Sequence, residues 1–264
     1  MIETLDLTIL TLGVTVGSAL VIILAERLRP YTDGQPLFRE GFVNDLVLYT
    51  LVQSYVLGWV IFGVINWIDS ATSFERMTVV RDLPLGVQVG LALVVHDLYI
   101  YWFHRLQHKH ALLWRIHEAH HSTSSVDWLS GSRSHALEIV INQTVEFLPI
   151  VLFADPEVAP IKGCVDAVWG MYIHSNIDVR SGWLQFVVNG PEMHRWHHAR
   201  DPEAHDRNFS TKLAVWDWIF GTAYLPTPRK PRAYGIDEAF PSNYMLQQLH
   251  AFRRVTHDGQ RERS

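Results

Sequence analysis

The most constraining feature of this sequence is a set of long apolar runs that no charged side chain interrupts. The first run covers residues 7–25, between Asp6 and Glu26, and the second covers residues 46–68. A helix needs roughly 20 apolar residues to cross the hydrocarbon core of a bilayer. Both runs are therefore predicted to be membrane-spanning helices, although buried core helices of a soluble protein are also apolar on every side.

A third apolar run and a helical hairpin that contains scattered polar residues complete the predicted bundle. Residues 83–95 are too short to span a membrane and reach that length only by continuing through residues 96–104. Residues 136–154 are apolar but contain two glutamates, and after a proline-containing turn residues 161–173 run back. We predict an all-α integral membrane helical bundle of about three spanning helices plus this hairpin. Residues 1–225 are expected to form the membrane-embedded catalytic domain, and residues 226–264 a partly solvated C-terminal tail.

Composition narrows the functional classes. A net charge of −5 without a basic tract gives no indication of nucleic-acid binding, and it leaves the oligomeric state open. Cys164 is the only cysteine, which excludes an internal disulfide framework or a cysteine-based zinc finger in this sequence. The first residues lack the basic region and cleavage site of a signal peptide, so the first apolar run is predicted to be retained. Histidines, 15 in number, and carboxylates form the available ligand set.

Three clusters of histidines have the spacing of metal ligands on helices. Residues three and four apart on an α-helix share one face, with Cβ atoms about 5–6 Å apart. The clusters are an HxxxH pair, an HxxHH group and a distant second HxxHH group: His104, His108; His117, His120, His121; His194, His197, His198. One zinc site typically takes four ligands, so eight clustered histidines indicate two metal ions. Imidazole nitrogens suit iron, copper, nickel and zinc.

Four further residues near the clusters have predicted roles. Helical phase places His110 about 240° from His104, so we expect it to face solvent. His174 and His135, at opposite ends of the hairpin, are candidate additional ligands, which would give five per metal ion. Asp97 lies one heptad before His104, and it could either orient a ligand histidine or pair with a nearby arginine.

The first HxxHH group also allows a hydrolytic interpretation. His117, Glu118 and His121 spell HExxH, in which two histidines bind zinc and the glutamate is the general base of a metalloprotease. Such a hydrolase needs one metal ion and one base, and it leaves the other two clusters unexplained. Two redox-active irons instead predict reduction of dioxygen and oxidation of an unactivated C–H bond. A substrate that enters from the bilayer would be a lipid.

Basic residues predict the orientation of the bundle, because cytoplasmic loops are enriched in lysine and arginine. Three arginines follow the first helix and none precedes it: Arg27, Arg29, Arg39. This pattern places the loop with Arg76 and Arg81 outside and all three histidine clusters on the cytoplasmic side. Because the sequence shows no flavin, nicotinamide or iron–sulfur motif, we expect an external electron donor. Its predicted landing patch, which could alternatively contact lipid phosphates, consists of Arg195, Arg200, Arg207 and Lys212.

These motifs resemble the fatty acid hydroxylase / sterol desaturase superfamily of membrane di-iron proteins. The resemblance covers roughly residues 97–222 and includes DLYIYWFHRLQH, HEAHHS, SGSRSHALE, HSN, NGPEMHRWHH and NFSTKLAVWDWIFGT. The family's metal positions correspond here to the eight clustered histidines, with His174 and His135 as additions. Ala136 stands where many relatives have proline, and NFS replaces the more usual NYG.

The resemblance implies a reaction class but no particular substrate. Members hydroxylate or desaturate sterols, fatty acids, sphingoid chains and carotenoids, and a related branch cleaves ether lipids using a pterin. The implied cofactors are two iron ions, with dioxygen as cosubstrate. The implied partners are a bilayer lipid and an electron donor of the ferredoxin or cytochrome b5 type. The predicted function is therefore oxygen-dependent hydroxylation or desaturation of a membrane lipid, with the pterin-dependent reaction and zinc hydrolysis as alternatives.

Overall fold

The computed structural model describes residues 2–72 and 79–253, and within these ranges it contains helices but no β-strand. Apart from three short 3-10 helices in these ranges, the helices are α1 (Ile2–Leu28), a π-helix (Asn44–Gln53) that continues into α2 (Ser54–Thr72), α3 (Leu85–Lys109), α4 (Ala111–His121), α5 (Ala136–Phe153), α6 (Val158–His174), α7 (Pro191–His197), α8 (Val215–Ile219) and α9 (Tyr244–His250). Arg76, which is predicted to lie in an outer loop, is outside the described residues.

Four helical stretches are long and apolar enough to cross a membrane: Asp6–Leu28, Asn44–Thr72, Leu85–Lys109 and Ala136–Phe153. Many of their apolar side chains point outward, and Leu10, Leu20 and Leu24 on α1 are 62%, 63% and 58% exposed. A long apolar surface of this kind fits the hydrocarbon of a bilayer. The predicted all-α membrane bundle is confirmed, and its fourth stretch is the first arm of the predicted hairpin.

The hairpin of α5 and α6 packs among the spanning helices. α6 lies along α1 and α3, while α5 lies along α2. Near the turn between the two arms, Ile150, Ala154 and Val158 form a small apolar core. α4 folds back beside α3. As a result, the end of α3, the start of α5 and the end of α6 meet at one end of the bundle.

Buried ion pairs join the segments at this end. Arg39 donates hydrogen bonds of 2.8 and 2.9 Å to Asp127, and it approaches Asp45 at 2.7 Å. Asp45 also accepts a 2.6 Å hydrogen bond from Arg133. Removing one partner of a buried pair typically costs about 3–5 kcal/mol, because the other charge is left unpaired. The pairs therefore hold the segment around Arg133 in place, and its backbone carbonyl contacts a cluster histidine.

Part of the segment predicted to form the C-terminal tail is folded onto the bundle. α9 packs against α4 and the π-helix, where Tyr49 donates a 2.8 Å hydrogen bond to buried Gln247. After α9, Arg253 donates hydrogen bonds of 2.5 and 2.9 Å to the two carboxylate oxygens of Glu118 on α4. This segment therefore contacts the helix that carries the central histidine cluster. Residues 254–264 lie outside the described ranges.

Candidate metal centre

Helices α3, α4, α6 and α7, together with the residue that follows α7, bring nine histidines together in two adjacent groups. The first group contains His104, His108, His117, His121 and His197, and the second contains His120, His174, His194 and His198. In each group, one nitrogen of every ring lies within 4.8 Å of the corresponding nitrogens of the others. The structure thus assembles all eight histidines of the three sequence clusters and adds His174 to the second group.

The chain bends sharply between the first two clusters. α3 ends at Lys109, His110 is extended with φ −113° and ψ 118°, and α4 begins at Ala111. Because of this bend, α4 returns beside α3, and the rings of His117 and His104 lie 4.7 Å apart between centroids. His110 is exposed, as expected, although the bend rather than simple helical phase turns it away from the groups.

Backbone carbonyls fix the orientation of four histidine rings. A carbonyl can only accept a hydrogen bond, so the Nδ1 atom that contacts it carries the proton and Nε2 keeps its lone pair. The pairs are His104 with Phe209 at 2.7 Å, His197 with Arg207 at 2.8 Å, His120 with Arg133 at 3.1 Å and His174 with Gly170 at 2.7 Å. Each group contains two of these rings, and in all four Nε2 is the atom left for a metal ion.

The Nε2 atoms within each group point at one another. In the first group, His121 Nε2 lies 3.2 Å from that of His117 and 3.1 Å from that of His197. In the second group, the Nε2 atoms of His194 and His174 are 2.8 Å apart. A neutral ring that donates its N–H satisfies only one such contact, whereas a cation among the Nε2 atoms attracts every lone pair. The residues present therefore fit one metal ion per group.

Burial keeps these histidines neutral, which is the form that binds a metal ion. Burial lowers the pKa of His117 and that of His120 to about 3, because a charged ring is disfavoured away from water. His104 and His108 have buried Nε2 atoms without a hydrogen-bond partner among the described residues. Unpaired polar atoms are costly in a protein interior, and a bound cation would satisfy these two.

Glu138 supports the first group from behind. Its Oε1 accepts hydrogen bonds from Nδ1 of His117 at 2.8 Å and from Nε2 of Gln107 at 2.7 Å. A carboxylate in this position fixes the ring and makes it a more basic ligand. In the sequence, the only signal for Glu138 is that it is an acidic residue in an apolar hairpin arm. Its histidine partner on α4 depends on the packing of that hairpin.

Asp97 anchors the loop that follows α7, and in the described structure it neither contacts a cluster histidine nor pairs with an arginine. Its carboxylate accepts hydrogen bonds of 2.6 to 3.1 Å from the Thr211 hydroxyl, the N–H groups of Lys212 and Leu213 and the Trp216 indole. The same loop presents the carbonyls of Arg207 and Phe209 to the first group. Asp97 therefore acts on the histidines through the backbone of this loop.

The structure places His135 outside both groups, which corrects its prediction as a ligand. Its Nδ1 accepts a 3.1 Å hydrogen bond from the N–H of Leu137 and thereby caps α5. Its Nε2 lies 2.9 Å from the backbone carbonyl of Gln248. Both ring nitrogens are thus used at the start of a helix. The expected five ligands per metal ion become five in one group and four in the other.

Glu118, the glutamate of the HExxH spacing, is engaged with two residues at the C-terminal end of the described chain, and it lines a cavity that borders the first group. It is buried, binds Arg253 through both carboxylate oxygens and lies 3.3 Å from Nε2 of His250. The general base of a metallohydrolase must reach a water molecule at the metal ion. Here Glu118 instead ties α4 to α9 and the residue that follows it.

Only part of the predicted basic landing patch is exposed in the described structure, because two of its four residues point inward. Arg195 is buried, donates to two backbone carbonyls and lies over the ring of Tyr31 at 3.7 Å. The side chain of Lys212 is only 13% exposed and pairs with Asp166 at 2.7 Å. The other two residues also have partners: Arg200 pairs with Asp237, and Arg207 donates to the Gly221 carbonyl. Sequence proximity to the last cluster did not indicate which of these side chains point inward.

Two cavities reach the histidine groups from different sides. The membrane-side cavity, of about 230 Å³, borders both groups and has apolar walls that include Ile100 and Phe103. The outer cavity, of about 350 Å³, borders the first group through His108, His121 and His197 and has a charged rim. The first group is therefore reached from both cavities.

The fold and the site define a membrane helical protein with two histidine groups, each able to hold a metal ion. The sequence model of the fatty acid hydroxylase family matches residues 89–222, which is just over half of the chain. The chain belongs to this family. The resemblance inferred from the histidine motifs is thereby confirmed.

Curated relatives of the chain are named as lipid-oxidising enzymes. Ornithine lipid hydroxylase OlsE of Rhizobium tropici is 28% identical over 91% of this chain and 75% of its own length. Alkylglycerol monooxygenase of Homo sapiens is 32% identical over 48% of this chain and 28% of its own length. Methylsterol monooxygenase 1 of Rattus norvegicus is 29% identical over 49% of this chain and 44% of its own length. The chain thus spans less than half of either mammalian relative, and no solved structure matches it.

Proposed function

We propose that this protein is a di-iron oxygenase that uses dioxygen to hydroxylate or desaturate an unactivated C–H bond of a membrane lipid. The observation that carries the proposal is the convergence of Nε2 atoms in two adjacent groups of five and four histidines. Neutral nitrogen donors suit iron, and two groups with a shared helix provide for two ions. Family membership and the names of the relatives support lipid oxidation as the reaction class.

The residues of the chain have defined tasks in this proposal. The first group would hold one iron ion and the second group the other, and the bound pair would supply the redox chemistry that reduces dioxygen and oxidises the C–H bond. Glu138 and the backbone carbonyls hold the rings so that Nε2 faces inward. Ile100 and Phe103 in the membrane-side cavity exclude water and provide an apolar surface for the substrate.

The chemistry also requires electrons from outside the site. Hydroxylation of one C–H bond by one dioxygen molecule consumes two electrons and two protons and releases one water molecule. The 264 residues show no flavin, nicotinamide or iron–sulfur motif. We therefore include an external donor of the ferredoxin or cytochrome b5 type in the proposal. The metal centre is proposed to lie on the cytoplasmic side, where such a donor can reach it.

The proposal is tested by comparing lipid extracts of expressing and non-expressing cells by mass spectrometry. We expect an oxygen-dependent lipid that has gained about 16 Da or lost about 2 Da. His194→Ala, which removes a second-group ligand, should abolish that species, whereas His205→Ala on an exposed loop should not. Mössbauer spectra of the purified protein should show a coupled iron pair. Activity retained with a single zinc ion and without oxygen uptake would instead support a hydrolase.

A pterin-dependent ether-lipid monooxygenase is the second candidate. It is favoured by alkylglycerol monooxygenases from Homo sapiens and Danio rerio, which are 32% and 31% identical to about half of this chain. The two candidates differ in their source of electrons. If this candidate is correct, a reduced pterin alone should sustain cleavage of an alkylglycerol. If the first is correct, an electron-carrier protein and its reductase should sustain oxidation of a C–H bond.

A further inference from the structure

The membrane-side cavity has a charged end that the metal centre does not explain. In addition to the cluster histidines and Glu138, four titratable residues line it: His96, Glu146, Asp166 and Lys212. An offset of eight residues, about 12 Å of helix, separates His96 from His104 on α3, Glu146 from Glu138 on α5 and Asp166 from His174 on α6. The same offset on three helices places the charged end about 12 Å from the metal centre along the bundle.

Lys162 occupies the centre of this charged end. Its ammonium group is fully buried and contacts the carboxylates of Glu146 and Asp166, and it lies 2.9 Å from Nδ1 of His96. These three acceptors match the three N–H bonds of an ammonium group. The protein itself thus supplies the cation that His96, Glu146 and Asp166 could hold. The cluster is therefore not a third metal site.

Two side chains that line the cavity can form further hydrogen bonds with a ligand. Lys212 Nζ lies 2.7 Å from Asp166 and 3.8 Å from Asp97, which leaves N–H bonds without a close acceptor among the described residues. Glu146 Oε2 is 3.3 Å from Nε2 of His96 and can accept a further hydrogen bond. The cavity therefore presents an ammonium donor and a carboxylate acceptor at the same end.

These charges are buried at the depth of the spanning helices, where they are costly. A buried ion pair is often less stabilising than apolar packing, and ionisable groups inside membrane segments commonly line functional pathways. A hydrocarbon chain end placed against Lys212 and Glu146 would cover their free donors and acceptors without pairing them. A polar group with donors and acceptors of its own would pair them.

We propose that the charged end binds the polar group of the lipid substrate, and that this group has both hydrogen-bond donors and acceptors. The inference rests on the proposed lipid oxidation. It also predicts which part of the substrate is oxidised, because the oxidised carbon must lie within about 12 Å of the polar group. Pockets that enclose whole small ligands measure about 300–1,000 Å³. The cavity, of about 230 Å³, therefore fits the polar group and the part of the chain up to the oxidised carbon, with the remaining chain outside the cavity.

The first test uses the unaltered, iron-loaded protein in phosphatidylcholine nanodiscs, supplied with oxygen and with an electron-carrier protein and its reductase. Three probes share one hydrocarbon chain. N-stearoyl-lysine has donors and acceptors, methyl stearate has acceptors only, and octadecane has neither. We expect oxygen-dependent oxidation of N-stearoyl-lysine alone, at a carbon within about 12 Å of its polar group as located by tandem mass spectrometry. Equal oxidation of octadecane, or oxidation at the far methyl end of any probe, would overturn the proposal.

The second test measures retention of the same probes by native mass spectrometry and does not depend on turnover. Lys212→Met and Glu146→Gln should each weaken retention of N-stearoyl-lysine by at least about tenfold without changing iron content. Lys109→Met, which removes a lysine from an exposed pair with Asp206, is the matched control. If no probe is oxidised, the result counts against the proposed function. The ratio of probe retention between the unaltered protein and the variants still tests the proposed binding site. Equal retention of all three probes by the unaltered protein would refute it.

Discussion

Glu138 is the residue whose side chain most directly tunes the metal centre without belonging to either histidine group. It holds Nδ1 of His117 at 2.8 Å, in a place where other cluster rings have a backbone carbonyl. We expect Glu138→Ala to weaken iron binding by about 10–100-fold, because the ring loses both its orientation and its charged acceptor. Competition with a chelator measures this change. Glu203→Ala, at an exposed position, should bind iron normally, and an equal affinity for both variants would contradict the role of Glu138.

Gly131 allows His174 to reach the second group. A Cβ atom added to Gly131 would lie 2.5 Å from Nδ1 of His174 and 2.9 Å from its Cγ, so the ring would have to move. We expect Gly131→Ala to lower the iron content from two ions per chain toward one, because only the second group is disturbed. Metal analysis by mass spectrometry tests this expectation. In Gly163→Ala, the new Cβ would meet Phe147 at an ordinary 3.9 Å, so full iron content is expected for that variant.

The spacing of histidines in the sequence was sufficient to find eight of the histidines that the structure brings together, because helical periodicity makes such residues neighbours. His135 and His174 could not be distinguished in this way, since each is a lone histidine at a helix end. Packing makes the difference: Gly131 opens space for His174, whereas His135 caps α5. The role of Glu138 could not be identified from the sequence either, because its histidine partner lies on another helix.

At the scale of elements, the apolar runs predicted the spanning helices, but two local departures from α-helical geometry were not predictable from them. The π-helix keeps Asp45, Tyr49 and Gln53 buried on one side. The second departure is the bend at His110, which has no glycine or proline to mark it.

The contact between α4 and the segment after α9 distinguishes an oxygenase from a hydrolase. Glu118→Gln removes the charge that Arg253 binds, yet it leaves every cluster histidine in place. We expect a loss of stability of about 1–3 kcal/mol, with iron content and oxygen-dependent turnover retained. Thermal unfolding and product analysis measure the two quantities. In a metalloprotease, the same substitution would remove the general base and abolish activity.

At the scale of the whole molecule, the histidine clusters are proposed to share the cytoplasmic face. Lys109 follows the first cluster and His205 follows the last, and both are exposed. In a background without Cys164, cysteines placed at these two positions should react with a membrane-impermeant maleimide only in inside-out vesicles. A cysteine at exposed Asp33, after α1, should behave in the same way. Labelling of positions 109 and 205 from opposite faces would contradict this topology.

The charge distribution around the outer cavity also predicts how an electron donor meets the protein. Lys109 pairs with Asp206, and Arg200 pairs with Asp237. Arg253 binds the other two carboxylates of the rim, so the rim presents paired, nearly balanced charges instead of a basic patch. Turnover should therefore require a donor such as a ferredoxin or cytochrome b5 with its reductase. Its rate should change by less than about threefold across a salt series, because steering needs unpaired charge of one sign.

Removing the acidic partners of these two cations gives a sharper test of how the donor binds. The double variant Asp206→Ala and Asp237→Ala leaves Lys109 and Arg200 unpaired beside the cavity that borders His108, His121 and His197. With an acidic donor it should turn over faster than the unaltered protein at low ionic strength and lose that advantage at high salt, since screening removes the attraction. Sustained turnover without any donor would refute the electron requirement, and a steep salt dependence of the unaltered protein would refute the balanced rim.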